Sequence, residues 1–474
     1  MFKNIVIREL MDHLKSLRLL ITFLLLIVLM AVSSVLFLQE YQQQMRDFSR
    51  NTAETRDINS KNVTRPAALF NLFSYNWQGP FVYKSPNRLA FISEGQEKNL
   101  PNSFSPSAFK IYGPYKKLRS NVFLDYFASL DWALIFGVVL SFAAIILVYD
   151  SICGEKEKGT LRLAIANSVP RSTLLLGKFL GGFIALAVPV ILGTLIQLLV
   201  LILGGTGFQS ADWIRVMLSL VFIFLYLSCY LMIGLFISSR SNNSSTSLVA
   251  GLLVWAMFVV VIPGVSGMIA SDMVKLPSRE VALENAWSHW SDVIRKYNQE
   301  NPETTGASGH WSPGEPLERA ILAADAWSEV MNDFRNRQIE QVSAARRVTF
   351  ISPTAVFRSG LETMAESGIY HYLKFYKQVV DFGLTQRQFL LDHYPLASRW
   401  FFPFGKNPSP EDIDNYSALS RIKISMDEVP QFQEKRLSLN ENFYASLPYF
   451  ALLFMFCIVF YVAAHISFQK YDVR

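Results

Sequence analysis

Charge is scarce in this chain. Asp, Glu, Lys and Arg make up 17% of its 474 residues, against about 25% in average soluble chains. Cysteine is scarcer still, with three residues, Cys153, Cys229 and Cys457. Two lie inside apolar runs and one beside the end of another, so no disulfide framework holds the two large polar regions. No CxxC or His/Cys cluster offers a metal site. The six histidines are scattered; His289 and His310 flank a Trp-rich patch, and neither has a companion ligand. The phosphate loop GxxxxGK[ST] is missing, because Gly204-Gly205-Thr206-Gly207 lacks both the Lys and the helix signal that follows it. A GxSxG elbow and an HExxH pair are missing as well. The chain is therefore read as no enzyme: it has no catalytic, metal or cofactor residue, and any ATP chemistry belongs to another subunit. The net charge of +6 is spread beside the apolar runs rather than gathered in one patch, which excludes a nucleic-acid surface.

What the chain has is apolar length. Hydrophobic residues make up 51%, including 37 Phe, and they are clustered. The clusters predict an all-α polytopic membrane protein with six transmembrane helices at 19–38, 130–149, 177–203, 214–237, 246–270 and 447–468. Residues 1–18 space Phe2, Ile5, Val6, Leu10, Leu14 and Leu17 at helical intervals and put Lys3, Arg8, Lys15 and Arg18 on other positions. That pattern predicts an interfacial helix. The first apolar run continues past the small-residue site Ala31-Val-Ser33, so it reads as an uncleaved anchor. Gly181-Gly182 suits close helix packing and Pro189 a kink; Pro263-Gly264 is expected to break the fifth span.

Two polar stretches interrupt the spans. Residues 39–129 read as a mixed α/β insertion, with a helical continuation of the first span at 39–58 and short strands and turns over about 67–113. Residues 271–445 read as mainly helical. Leu317, Ile321, Ala324, Trp327, Met331, Phe334 and Val342 mark one helix, Ser352-Pro353 begins a second, and a third covers about 368–393. The tryptophans and phenylalanines at 287, 290, 311, 327, 400, 401 and 402 read as core or membrane contact, with a ligand surface as the alternative. Lys and Arg concentrate in 1–18, in the 150–176 loop and its flanks, at Arg240 and in the 469–474 tail, and are missing from 204–213. By the positive-inside rule both termini are cytoplasmic and both insertions extracytoplasmic. The spans carry almost no ionisable residue between their ends and show no repeat between halves, which argues against an ion-coupled transporter.

The most informative stretch is 149–178, YDSICGEKEKGTLRLAIANSVPRSTLLLGK. Two readings compete for it: a solvated turn that keeps the loop out of lipid, or a docking element for a soluble partner. Residues 130–182, with Asp150 closing the second span, Gly154-Glu155-x-Glu157-x-Gly159-Thr160-Leu161, Arg171 and then Gly177-Lys178, resemble the core signature of type-2 ABC exporter permeases. The likeness is greatest to the subgroup of gliding-motility and nitrous-oxide-reductase maturation permeases. Arg8-Glu9-Leu10 is similar to that family's elbow helix.

The resemblance implies a dimer of permease chains, homo- or heteromeric, above two ATPase subunits that hold the ATP and Mg. The helix around 159–168 would seat in each ATPase. Asp150, Glu155, Glu157, Gly159, Thr160, Leu161, Arg162, Arg171 and Lys178 would form the coupling element, with Leu161, Leu163 and Ile165 giving apolar contact. Asp150 is expected to bond the loop backbone, to pair with Lys156 or Arg162, or simply to solvate the helix end. The implied function is the permease subunit of an ATP-driven exporter in the bacterial inner membrane. The simplest family members have only short re-entrant helices where this chain has 271–445. A second function therefore stays open: ATP-driven motion of the outer domain against a periplasmic partner, with nothing translocated. A receptor-like sensor without an ATPase is the third.

Overall fold

The computed structural model of the chain describes residues 2–63, 81–95, 100–108, 111–112, 130–166, 170–302, 317–393, 410 and 424–470. Among the described residues, six helices are long and apolar enough to cross a membrane: Leu17–Lys61, Trp132–Glu157, Arg171–Leu203, Ser210–Arg240, Ser244–Met273 and Leu439–Gln469. The all-α polytopic reading holds. The helices run past the apolar runs at most ends, because polar residues continue a helix once it leaves the hydrocarbon.

Helix α1 (Phe2–Leu14) precedes α2 (Leu17–Val63), which runs unbroken for 47 residues. At 1.5 Å per residue that is roughly 70 Å, more than twice the hydrocarbon thickness, so one rod carries the first span and its helical continuation. Three short strands follow, β1 (Val82–Tyr83), β2 (Ser103–Pro106) and β3 (Ile111–Tyr112). They pair antiparallel in the order β1-β2-β3, with Val82 opposite Phe104 and Ser105 opposite Tyr112. Much of the strand-and-turn reading of 67–113 lies outside the described residues, as do His310, Trp311, Trp400, Phe401 and Phe402.

The second span is α3 (132–148). Asp131 caps it, accepting from the Leu134 N–H at 2.8 Å and from the Glu94 N–H at 2.9 Å. Its first turns are π-helical over Ile135–Leu140. Two short helices follow in the loop, α4 (Cys153–Glu157) and α5 (Thr160–Ala166). Spans three to five are α6 (Arg171–Leu203), α7 (Ser210–Arg240) and α8 (Ser244–Met273). Pro263-Gly264 does not break α8. A π-helical turn at Met257–Val261 comes just before it, so Pro263 falls in the first turn of the next α-helical segment. There its missing N–H interrupts no α-helical bond.

Past the fifth span come α9 (Arg279–Glu300), α10 (Leu317–Thr349), α11 (Pro353–Met364) and α12 (Gly368–His393), and the sixth span is α13 (Leu439–Gln469). Ser352 caps α11 as its sequence signals, accepting from the Ala355 N–H at 3.3 Å. Here the structure modifies the sequence reading, which took all of 271–445 as lying outside the spans. Val356, Phe357, Leu361 and Met364 are fully buried in the same apolar core as α3, α6, α7 and α13. Helix α11 re-enters the bundle. Periodicity cannot reveal this, because a 12-residue amphipathic helix looks the same on a membrane surface and inside a bundle.

Candidate functional site

The site is built where the 150–171 loop meets the helix ends on the α1 face of the bundle. Helix α1 docks there on glycines of α6. A Cβ on Gly177 would come within 2.6 Å of Ile5 Cγ2, and one on Gly181 within 2.6 Å of Glu9 Cβ. Only hydrogen lets α1 lie this close, and the close approach brings Glu9 to Lys178.

Lys178 is 1% exposed. Its Nζ donates to Glu9 Oε1 at 2.7 Å and to Glu155 Oε1 at 2.8 Å. A buried ammonium needs a counter-charge with good hydrogen bonds, and this one ties α1, the loop and α6 at a single point. His13 is buried beside it, and desolvation with the Lys178 charge pushes its imidazole below the usual range, so it stays neutral.

The other loop residues reach the remaining spans. Asp150 Oδ2 pairs with Arg18 Nη1 of α2 at 2.9 Å, a partner outside the sequence alternatives of the loop backbone, Lys156 or Arg162, and helix-end solvation. Arg18 is the nearer cation because α1 and α2 turn back beside the end of α3. Lys156 Nζ donates to the carbonyls of Ser239 and Ser241, at 2.6 and 3.0 Å, closing the end of α7. The Ser238 hydroxyl of α7 accepts from the Ile152 and Cys153 N–H groups at 3.0 and 3.1 Å. Glu157 accepts from the Ser244 N–H at 2.9 Å and its hydroxyl at 2.6 Å, at the start of α8, where a carboxylate also suits the helix dipole. Arg171 Nη1 donates to the carbonyls of Phe468, at 3.0 Å, and Gln469 at the end of α13. One loop and its flanks therefore bond the ends of spans one, three, four, five and six.

Of the sequence-derived coupling residues, Asp150, Glu155, Glu157, Arg171 and Lys178 are thus brought together as ties within the chain. Leu161 is fully buried. Thr160 Oγ1 donates to the Glu155 carbonyl at 3.4 Å. Gly159 has φ +72, between α4 and α5, with open space around it. Arg162 and Leu163 of α5 are exposed, Leu163 by 67%, as is Lys158 at the end of α4. Ile165's side chain and residues 167–169 lie outside the described residues. In α1, Glu9 makes the tie above, Leu10 packs against the core and Arg8 is exposed. Ser238, Ser239, Ser241 and Ser244 were not among the sequence-derived coupling residues, and Arg18 was read only as a cation of the interfacial helix. The polar run Ser238–Ser245 was the available signal.

A second constellation holds α11. The Gly137 carbonyl, in the π-turns of α3, accepts from Tyr226 and Ser141 hydroxyls, both at 2.7 Å. The Phe258 carbonyl, in the π-turn of α8, accepts from the Ser352 hydroxyl at 2.5 Å. Thr354 Oγ1 lies 3.0 Å from the Tyr226 hydroxyl and 2.5 Å from that of Tyr230. The Phe357 ring stacks on Tyr226 at 3.9 Å. The Phe258 carbonyl thus holds the start of α11 directly, and the Gly137 carbonyl reaches it through the Tyr226 hydroxyl and Thr354. Further along, Glu362 binds Arg346 at 2.8 Å and Arg358 at 3.3 Å, and Glu366 binds Arg215 of α7 at 2.8 Å. The spans are poor in charge, but the re-entrant segment brings ionised groups against them.

Comparison with known proteins adds the following. Residues 3–473 match the family described as ABC-2 family transporter protein. Over 118 residues the chain is 32% identical to the probable ABC transporter permease protein NosY of Pseudomonas aeruginosa. Over 125 residues it is 34% identical to the protein of that name from Stutzerimonas stutzeri. Each alignment covers 25% of this chain and 43% of the relative, so the chain spans less than half the length of the curated relatives it matches.

Proposed function

The chain belongs to the ABC-2 family of transporter proteins, and from that premise we propose that it is the permease subunit of an ATP-driven exporter. In this reading the α1 face lies in the bacterial cytoplasm with both terminal segments, and a separate ATPase binds there, supplying the ATP and Mg. A second permease chain completes the pair. The observation that carries the proposal is the set of ties from one loop to five span ends. A push on α5 is delivered to the whole bundle and not to one helix. Arg162, Leu163 and Lys158 meet the ATPase, while Glu155, Glu157, Arg171 and Lys178 hold the frame that receives the load. Division of labour follows bonding: the outward side chains recognise, and those tied to other helix ends transmit.

A second reading has its own support. Helix α2 runs 47 residues without a break, and α11 fills the bundle on the opposite face. A rigid rod and a filled bundle suit mechanical transmission to a periplasmic partner without translocation.

The test is to purify the tagged full-length chain from its native membrane and assay nucleotide hydrolysis in the eluate. Hydrolysis that co-elutes with the parent, and is lost with Arg162→Glu plus Leu163→Asp, supports the docking face. A stable chain with no hydrolysing companion eliminates both readings and leaves a sensor. Labelled outer domain that moves with ATP in a sealed vesicle, with no flux of candidate substrates, selects transmission.

A further inference from the structure

On the face opposite α1, a small cavity sits where three separate segments meet. These are the turn after β1, the first turns of α12, and the strap that leads into α13. Its walls carry four cations, Lys84, Lys374, Lys435 and Arg436, against two carboxylates, Glu366 and Glu434. His371 lines it from the first turn of α12 and is only 9% exposed. Two buried polar atoms on its walls, His371 Nε2 and Glu366 Oε2, have no hydrogen-bond partner among the described residues. Buried polar groups are rarely left so.

Part of the wall is already committed. Glu434 accepts from the Ser85 N–H at 2.9 Å and from its hydroxyl at 2.5 Å. Arg436 donates to Ser85 Oγ and the Pro86 carbonyl, both at 3.0 Å. Gln378 exchanges two bonds with the Lys435 backbone, at 2.7 and 2.9 Å. Glu366 gives its other oxygen to Arg215. The cavity is thus a fixed frame with an excess of positive charge, the N-terminal end of a 26-residue helix, one open imidazole nitrogen and one open carboxylate oxygen. Positive charge and a helix N-terminus select an anion. The open carboxylate oxygen rejects an anion without a proton and accepts from one that carries an O–H.

We propose that this cavity binds a protonated oxyanion of the phosphate class, as free hydrogenphosphate or as a phosphomonoester headgroup. The anion's charged oxygens accept from Lys374 and from the Nε2–H tautomer of His371, and its O–H donates to Glu366 Oε2. Sulfate has the same size and charge but no proton to give. Occupancy would join α12 to the strap that opens α13 and, through Glu366 and Arg215, to α7. The site needs no assumption about the ATPase or the cargo.

The test uses the full-length chain in phosphatidylcholine nanodiscs. Inorganic phosphate is expected to raise Tm saturably, with sulfate about tenfold weaker, the factor for one unmatched hydrogen bond to a charged group. Lys374→Ala, at a half-buried position away from the core, should weaken phosphate about tenfold. Glu366→Gln, which can donate, should let sulfate bind as well as phosphate. A response confined to nanodiscs containing phosphatidic acid assigns the site to a lipid phosphomonoester. The proposal is overturned by no saturable response to either source, by equal response to sulfate in the parent, or by binding that Lys374→Ala leaves unchanged.

Discussion

Lys178→Met is the sharpest perturbation of the tie between α1, the loop and α6. Methionine fills much the same volume, so packing is nearly kept and charge is the variable. The change removes two bonds, of 2.7 and 2.8 Å, and leaves Glu9 and Glu155, with side chains 12% and 23% exposed, facing each other across an apolar stem. Breaking a buried pair by removing one partner costs about 3–5 kcal/mol. Glu9→Gln or Glu155→Gln alone leaves the ammonium one counter-charge and a neutral acceptor, and should cost about 1–2 kcal/mol. The triple variant without charge should recover most of the loss, because a charge-free replacement of a buried pair is often neutral. Equilibrium unfolding in mixed detergent micelles, followed by tryptophan fluorescence, reads the four variants against the parent. A Lys178→Met protein within about 1 kcal/mol of the parent, or a triple variant no more stable than the single, refutes the reasoning.

Gly159→Ala should cost about 1–2 kcal/mol through its φ of +72 alone, since no atom lies within 4 Å of the added methyl. It should also weaken ATPase retention in a pull-down by re-aiming α5. Gly360→Ala drives a methyl into the Phe222 ring of α7 and should destabilise by about 1–3 kcal/mol, read by the same unfolding assay. The pH response should show two opposed groups. Burial among Lys84, Lys374, Arg215 and Arg346 lowers His371 from 6.5 to about 3, so the folded chain binds fewer protons there and loses stability as pH falls through that window. Burial raises Asp131 from 3.8 to about 6, so the folded chain binds more protons and loses stability as pH rises from 3.8 to 6. Asp131→Asn should therefore steepen acid destabilisation between roughly pH 4 and 6, by about 1.4 kcal/mol per pH unit, and His371→Gln should flatten it. Unchanged slopes in both variants contradict the assigned environments.

The six crossings were legible because lipid demands about 20 apolar residues in a row, and nothing else in the chain imitates that. The caps at Ser352 and the helix at 368–393 were legible for a similar local reason. The re-entry of α11 was not, since it depends on contacts across the fold, from Ser352 to the Phe258 carbonyl and from Thr354 through Tyr226 to the Gly137 carbonyl. At the loop, the sequence marked the right stretch but not the direction of its side chains. A Glu in a charged run can face solvent or reach back. Glu155 and Glu157 reach back, and only the fold brings Lys178 and Ser244 to them. Asp150 shows the same limit: its partner Arg18 is 132 positions away in the chain, beyond any spacing rule.

The central claim is that the loop's ties turn a local push into motion of the whole bundle. It is tested most directly by pulsed electron-spin distances in the ATPase complex. One label pair joins position 158 to the ATPase, and a second joins positions 444 and 214 at the far ends of α13 and α7. In the parent, ATP should change both distances together. With Arg171→Gln added to Lys178→Met, and the ATPase still bound, the first should still change and the second should not. A second distance that follows ATP undiminished in that variant would contradict the account.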